Sequence, residues 1–272
     1  MIDQLIGAFL RLCPPIRGRA RLRRWWIYRP RPPTVRRRRT PSGRILRCDW
    51  SVPYEAVAWL GDGGLFEDVP VAARRLSPGG VFLDVGANVG LWSVECTAAV
   101  GPGGRIFAFE PNPVTVEKLR ANVAANGLEL VITVFPLALS DREGMATLSC
   151  PHDHDTSRLS DAGGAPGIAV RTAPLDALFS PDQPVHGIKV DVEGHELKFL
   201  EGARHLIERC HPWIVIEFNL DHSAADRLSD WSVHQWLSAR DYRPFSLLPE
   251  RPIEDPETFS PRPARYLNLL YR

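Results

Sequence analysis

From Val81 onward, the apolar positions gather into short unbroken runs separated by longer amphipathic stretches. Val81–Val85, Arg105–Phe109, Leu130–Leu137, Gly187–Val192 and Trp213–Phe218 are rich in β-branched or aromatic residues, which predicts strands buried on both faces. Between these runs the spacing predicts helices over Leu91–Ala99, Pro113–Asn126, Glu196–Arg209 and Trp231–Ala239, the second closing at Gly127 as a C-cap. A strand around Ile168–Arg171, a short helix at Leu175–Phe179 and two final strands at Arg243–Leu248 and Tyr266–Tyr271 complete the pattern. Strands alternating with helices predict an α/β fold: a doubly wound sheet, mainly parallel, with helices on both faces.

Ahead of Val81 the pattern changes. Arg44–Asp49 reads as a strand, Tyr54–Leu60 as a helix or extended connector, and Phe66–Leu76 as a helix after the Gly61–Gly64 turn. The chain therefore divides into an Arg-, Trp- and Pro-rich extension over 1–42, a lead-in strand and helix over 43–80, and a main domain over 81–272. Pro151–Gly167 is polar and glycine-rich, a loop insertion placed to act as a lid. Its His152-Asp-His-Asp155 run has the flanks of a solvated loop rather than of a metal cluster.

The net charge of +1 conceals an asymmetry. Residues 1–50 hold 14 Arg against Asp3 and Asp49, so they carry about +12 and the remainder about −11. Arginines interleaved with Trp25 and Trp26 suit an anionic membrane surface, and equally a solvated arm or tryptophans packed on the body. Nucleic acid is disfavoured by the acidic body and by the lack of an Asn-Pro-Pro-aromatic motif for a flipped base. Met1–Cys13 lacks the order of a secretory signal, and no apolar run approaches the roughly 18 residues that span a bilayer. Five dispersed cysteines read as reduced thiols. Together these features predict a cytoplasmic protein, with the arm able to hold it peripherally at the inner membrane face.

The strongest local signal follows the first strand: Asp84-Val-Gly-Ala-Asn-Val-Gly90. Such a turn brings backbone close to a ligand, and the next helix is expected to offer unpaired N–H groups to an anion. A dinucleotide turn would read G-x-G-x-x-G, whereas here Gly86 and Gly90 bracket Asn88. Glu110 lies 20 residues past Gly90, at the tip of the second strand, where a carboxylate can accept hydrogen bonds from both ribose hydroxyls of an adenosine group.

With those residues, Phe109-Glu-Pro-Asn-Pro, Ala138-Leu-Ser-Asp and Ile188-Lys-Val-Asp-Val-Glu-Gly-His-Glu complete four ordered motifs, and the chain resembles the FkbM family of methyltransferases. The resemblance implies a class I methyltransferase Rossmann-like sheet with an antiparallel C-terminal strand, S-adenosylmethionine as cofactor, and transfer to a hydroxyl. The family pattern carries Asp84, Gly86, Asn88 and Gly90 into the cofactor loop and Glu110 onto the ribose. Asp141 stands as either an adenine contact or a turn acid.

At the fourth strand tip, Asp191, Glu193 and His195 are the candidates for accepting the acceptor's proton. Lys189 beside them makes a charged cluster, and Asp191 with Glu193 is a candidate site for Mg²⁺. Glu217, Asn219 and His222 lie near the fifth strand tip. The expected reaction is O-methylation of a sugar, glycolipid or secondary metabolite, the acceptor being a small molecule or glycan. The alternatives are an NAD-dependent oxidoreductase, disfavoured by the missing glycine fingerprint, and a non-catalytic nucleotide-binding module.

Overall fold

The computed structural model describes residues 2–12, 18–61, 65–149, 157–161, 166–261 and 266–272. The arm and lead-in form α1 (Ile2–Leu12), α2 (Arg19–Tyr28), β1 (Val35–Arg39), β2 (Ile45–Asp49), α3 (Pro53–Leu60) and α4 (Leu65–Ala73). There follow β3 (Val81–Val85), α5 (Leu91–Val100), β4 (Arg105–Phe109), α6 (Pro113–Ala124) and β5 (Ile132–Phe135). An inserted region holds β6 (Ala138–Leu139), β7 (Gly144–Ser149), β8 (Arg158–Asp161) and β9 (Ile168–Ala173). The chain then runs through α7 (Leu175–Leu178), β10 (Gly187–Val190), α8 (Glu196–Gly202), α9 (Arg204–Cys210) and β11 (Trp213–Asn219). It ends with α10 (Ser232–Ser238), β12 (Pro244–Ser246), β13 (Arg251–Pro252) and β14 (Tyr266–Tyr271).

The main sheet has the order β13-β12-β14-β11-β10-β3-β4-β5. Strands β5, β4, β3, β10 and β11 are parallel, while β14 runs antiparallel to β11, as expected for the last strand. Successive residues serve opposite faces. Ile214 and Ile216 enter the layer under α7 to α10 with Phe199 and Leu206, whereas Val215 joins Val94, Leu119 and Phe82 under α4 to α6. Burial on both faces explains the near-continuous apolar runs. The chain crosses from β3 outward through β4 and β5, then returns to place β10 on the other side of β3. The carboxyl ends of β3 and β10 therefore flank the switch point, where such sheets bind ligands.

Three expectations change. The third strand is shorter than Leu130–Leu137, because Leu128 to Val131 close a turn first, leaving Leu130 89% exposed. The Pro151–Gly167 insertion, expected as a loop, contains β8 among its described residues, and β6, β9, β7 and β8 form a second sheet with a small core of Ala146, Leu148 and Val170. The strand expected around Ile168–Arg171 forms as β9 and belongs to that sheet. The helix over Glu196–Arg209 turns at Ala203, where Gly202 lies so close to the Ser140 carbonyl that a β-carbon would overlap it. His152–Asp155 lie outside the described residues.

The basic arm packs on the body. Trp26 is fully buried, its ring 5.1 Å from that of Trp50, and Trp59 completes the group at 4.7 Å from Trp50, with Leu10 and Leu60 around them. Trp25, its neighbour in sequence, is 50% exposed. The β1–β2 hairpin is held by two asparagines, Asn122 of α6 and Asn126 in the turn after it. Asn126 accepts from the Ile45 N–H and donates to its carbonyl, both at 2.7 Å, and Asn122 accepts from the Arg47 N–H at 2.7 Å. The two amides thus stand in for a neighbouring strand.

Candidate active site

A cavity of about 1060 Å³ opens at the carboxyl ends of β3, β4, β10 and β11. One end is formed by the loop after β3. Gly86 takes a φ of +73°, and a β-carbon there would overlap the carbonyl oxygen of Asp191. Only glycine combines that φ with such an approach. The same glycine's carbonyl accepts from Lys189 Nζ at 2.7 Å, so the β3 and β10 loops are tied by a buried lysine.

The loop's own N–H groups are consumed locally. Those of Gly86 and Ala87 go to the Phe109 carbonyl, Asn88 to Glu110 Oε2, Val89 to Asn88 Oδ1 and Gly90 to the Ala87 carbonyl. At the start of α5, Ser93 donates both N–H (2.9 Å) and hydroxyl (2.5 Å) to Asp84 Oδ2. The Ser93 N–H, one of the helix donors expected to await an anion, is therefore taken. Asp84 occupies the Ser93 N–H at that helix terminus, and a pyrophosphate would have to displace a carboxylate from it.

Asp84 is fully buried and does not line the cavity, and neither does Gly90, which is packed on Leu119. Both shape the loop from behind. Gly86, Asn88 and Glu110 do line it. Glu110 accepts from Asn88 N through Oε2 and from Asn112 N through Oε1, each at 2.9 Å. Each oxygen keeps a lone pair for a ligand. Burial pushes its carboxyl up to about 7, against the two backbone N–H groups that favour the charge. Asp141 lies off the cavity, where it accepts from the Ser140 hydroxyl at 3.0 Å, and Leu137, Ala138 and Leu139 line the wall instead.

The other end gathers acids. Asp191 Oδ2 is 3.5 Å from Lys189 Nζ, and Asp84 Oδ1 is 3.7 Å from it. Burial works against the Lys189 charge, but Asp191 and Asp84 outweigh it and its pKa rises. Glu193 sits at φ +53°, followed by Gly194 at +97°, a turn closed by Glu196 accepting from the Gly194 N–H at 2.9 Å. Its Oε2 lies 3.0 Å from His222 Nδ1, a contact whose angle does not make a hydrogen bond. Burial, with Asp191 and Glu196 near, pushes Glu193 up to about 8. Burial, again with Asp191 near, does the same to Glu217, also to about 8, although Asn219 donates to it at 3.1 Å. His222 is lowered by burial and by Arg158.

His195 lines the cavity between the two ends, its Nε2 2.9 Å from Ser140 Oγ. The structure thus brings Asp191, Glu193 and His195 to one cavity with Glu217, Asn219 and His222. Among the described residues, no group of three or more His, Cys, Asp or Glu side chains is arranged to hold a metal ion.

Sequence reasoning missed one wall. Arg23, Arg24 and Tyr28 of α2, with Tyr54, face the same cavity. The only signal was the interleaving of arginine with aromatic residues in the arm.

The sequence matches the methyltransferase FkbM domain over residues 84–244. It is 30% identical over 148 residues to the hexuronic acid methyltransferase AglP of Haloferax volcanii, covering 51% of this chain and 56% of that protein. It is 36% identical over 93 residues to the AMB antimetabolite synthetase AmbE of Pseudomonas aeruginosa, covering 33% of this chain and 4% of that one. The chain therefore spans little more than half of the first relative and a small part of the second. Among solved structures, the methyltransferase FkbM of Methylobacillus flagellatus aligns with a TM-score of 0.48 at 18% identity, over 80% of this chain and 65% of that one.

Proposed function

The chain belongs to the methyltransferase FkbM family, and from that premise we propose that it methylates a hydroxyl oxygen of a sugar-type acceptor using S-adenosylmethionine. The observation that carries this reading is one cavity with two chemically different ends: buried Glu110 behind the Gly86–Asn88 loop, and the Asp191, Glu193 and Glu217 cluster. The donor set at the first end fits the cofactor. Glu110 offers two outward lone pairs to a ribose diol, the loop presents no phosphate cradle, and the nearby carboxylates suit a cation. The relative AglP, a hexuronic acid methyltransferase, supports a glycan acceptor.

When bound, S-adenosylmethionine supplies an electrophilic methyl on a sulfonium. The chain's own residues position and deprotonate the acceptor. Glu193, pushed up to about 8, becomes able to take a hydroxyl proton as the pH rises towards 8, and His222 stands 3.0 Å behind it. Asp191, its Oδ2 3.5 Å from Lys189 Nζ, stands at the cavity floor. His195 is fixed from the side by Ser140, which Asp141 in turn orients.

The test is calorimetric titration with S-adenosylhomocysteine and with NAD, followed by transfer of labelled methyl to a panel of glycosides. Binding of S-adenosylhomocysteine that is lost in Glu110→Ala, with label in a glycoside, is the expected result. Binding of NAD alone would mean the reading is wrong.

A peripheral membrane location rests on a different observation. Leu5, Phe9, Trp25 and Tyr28 are 66%, 45%, 50% and 62% exposed on the two arm helices, among arginines. No helix of the described residues is long and apolar enough to cross a membrane. A surface-lying arm at the cytoplasmic face suits this pattern. Wild-type protein should cosediment with phosphatidylglycerol vesicles, and Leu5→Ser/Phe9→Ser/Trp25→Ser should not. Equal sedimentation of both would refute the membrane role.

A further inference from the structure

The matched family domain begins at residue 84, yet a wall of the cavity comes from α2, far upstream. Trp26 and Ile27 of α2 are buried in the body, which fixes the helix's rotation. With those two anchored, Arg23, Arg24 and Tyr28 of the same helix face the cavity.

Arg23 and Tyr28 stand at the acid end. In the β11–β14 ladder Asn219 pairs with Tyr266 and Glu217 with Asn268, and all four residues line the cavity. The Tyr266 hydroxyl is pushed up by burial, with Glu217 and Tyr28 adding and Arg23 opposing, so these groups lie within electrostatic reach of one another. Arg158 acts on Glu193 and His222 from β8.

Charge bookkeeping separates floor from wall. Glu193 and Glu217 carry their protons up to about pH 8, and Asp191 is paired with Lys189. Near neutrality the Glu193 and Glu217 carboxyls therefore add little negative charge opposite the wall, while its guanidinium groups stay cationic. A neutral sugar has no use for such a wall; an acceptor bearing an oxyanion does. Arginine forks match carboxylate and phosphate alike.

We propose that Arg23 and Arg24 of the N-terminal arm form an oxyanion subsite of the acceptor pocket, selecting a sugar that carries a carboxylate or a phosphate. This rests on the methyltransferase reading and deepens it. The subsite lies outside the matched domain, so acceptor choice is set by a segment separate from the one that holds the cofactor.

The experiment uses the full chain saturated with S-adenosylhomocysteine, titrated with methyl β-D-glucuronide, glucose 1-phosphate and methyl β-D-glucoside. At least one anionic probe should bind about tenfold or more tightly than the glucoside. The tighter of the two identifies the oxyanion as carboxylate or phosphate. Arg23→Gln/Arg24→Gln should erase that advantage while S-adenosylhomocysteine affinity stays within twofold. If the double variant fails to fold, Arg24→Glu, at an exposed position, should reverse the preference. Three results overturn the subsite: no anionic advantage in the wild type, no binding of any probe, or an advantage retained in the variants. Failure to bind S-adenosylhomocysteine at all would instead strike the methyltransferase reading itself.

Discussion

The Gly86 α-carbon and the Asp191 carbonyl oxygen are packed so closely that no β-carbon fits between them. That contact joins the β3 loop to the β10 loop and fixes the distance between the cofactor end and the acid end of the cavity. Gly86→Ala must force the two loops apart at a φ of +73°. The backbone conformation alone costs about 1–2 kcal/mol, and displacement of Asp191 adds to it. Urea denaturation should show the loss of stability, and calorimetry should show S-adenosylhomocysteine affinity reduced by more than tenfold.

Lys189→Met leaves the pocket's shape but removes a buried cation from Asp84 and the Gly86 carbonyl. Breaking a buried pair from one side costs about 3–5 kcal/mol. Burial already pushes the Asp84 carboxyl up, and without Lys189 it rises further. The variant's urea midpoint should fall, and should recover in part on acidification as Asp84 takes a proton.

Three buried acids give the protein a pH signature. Glu110 at about 7, and Glu193 and Glu217 at about 8, all lie above the usual 4.5. A raised folded-state pKa contributes stability that is complete below about 4.5 and is lost as pH rises through 7 to 8. The unliganded protein should therefore have a lower urea midpoint at pH 8.5 than at pH 6, with Glu217→Gln flattening the difference.

Ligand binding should run in the opposite direction. A ribose diol donates to Glu110, so the ionised carboxylate is the form that accepts both hydroxyls. Affinity for S-adenosylhomocysteine should rise from pH 5.5 to 7.5, by up to tenfold per unit below about pH 7. In Glu110→Gln the affinity should be weak and flat with pH. A wild-type profile without slope would show that Glu110 does not hold the ribose.

Trp26→Ala removes the fully buried ring that seats α2. Truncating such a core aromatic costs about 3–5 kcal/mol, here charged mainly to docking of the arm. Limited trypsin digestion should cut the arm of the variant at arginines protected in the wild type, while S-adenosylhomocysteine binding persists.

The main sheet was legible because strands buried on both faces read as apolar runs, and the glycine turn and Glu110 stand directly at their ends. What escaped were features set by contacts distant in sequence. Nothing local in Gly144–Ser149 or Arg158–Asp161 announces strands, since Arg158–Asp161 pairs only with Gly144–Ser149, which is itself flanked on its other side by Ile168–Ala173. Asp84 was placed in the right loop but given the wrong neighbour, because Ser93 is nine residues away and reaches it only once α5 forms. Trp25 and Trp26 are indistinguishable by type, and only helix phase sends one into the body and the other to solvent.

The two amides that hold the hairpin also bear on how copies of the chain meet. A two-stranded sheet on a surface offers two open edges, each a template for pairing with another copy. Asn122 and Asn126 saturate the β2 edge at Ile45 and Arg47, leaving it no donors there to share. The outer strand β1 is Val-Arg-Arg-Arg-Arg, whose like charges repel any identical strand brought alongside. One edge is closed by side-chain amides and the other by charge, so the hairpin stays exposed without seeding aggregation.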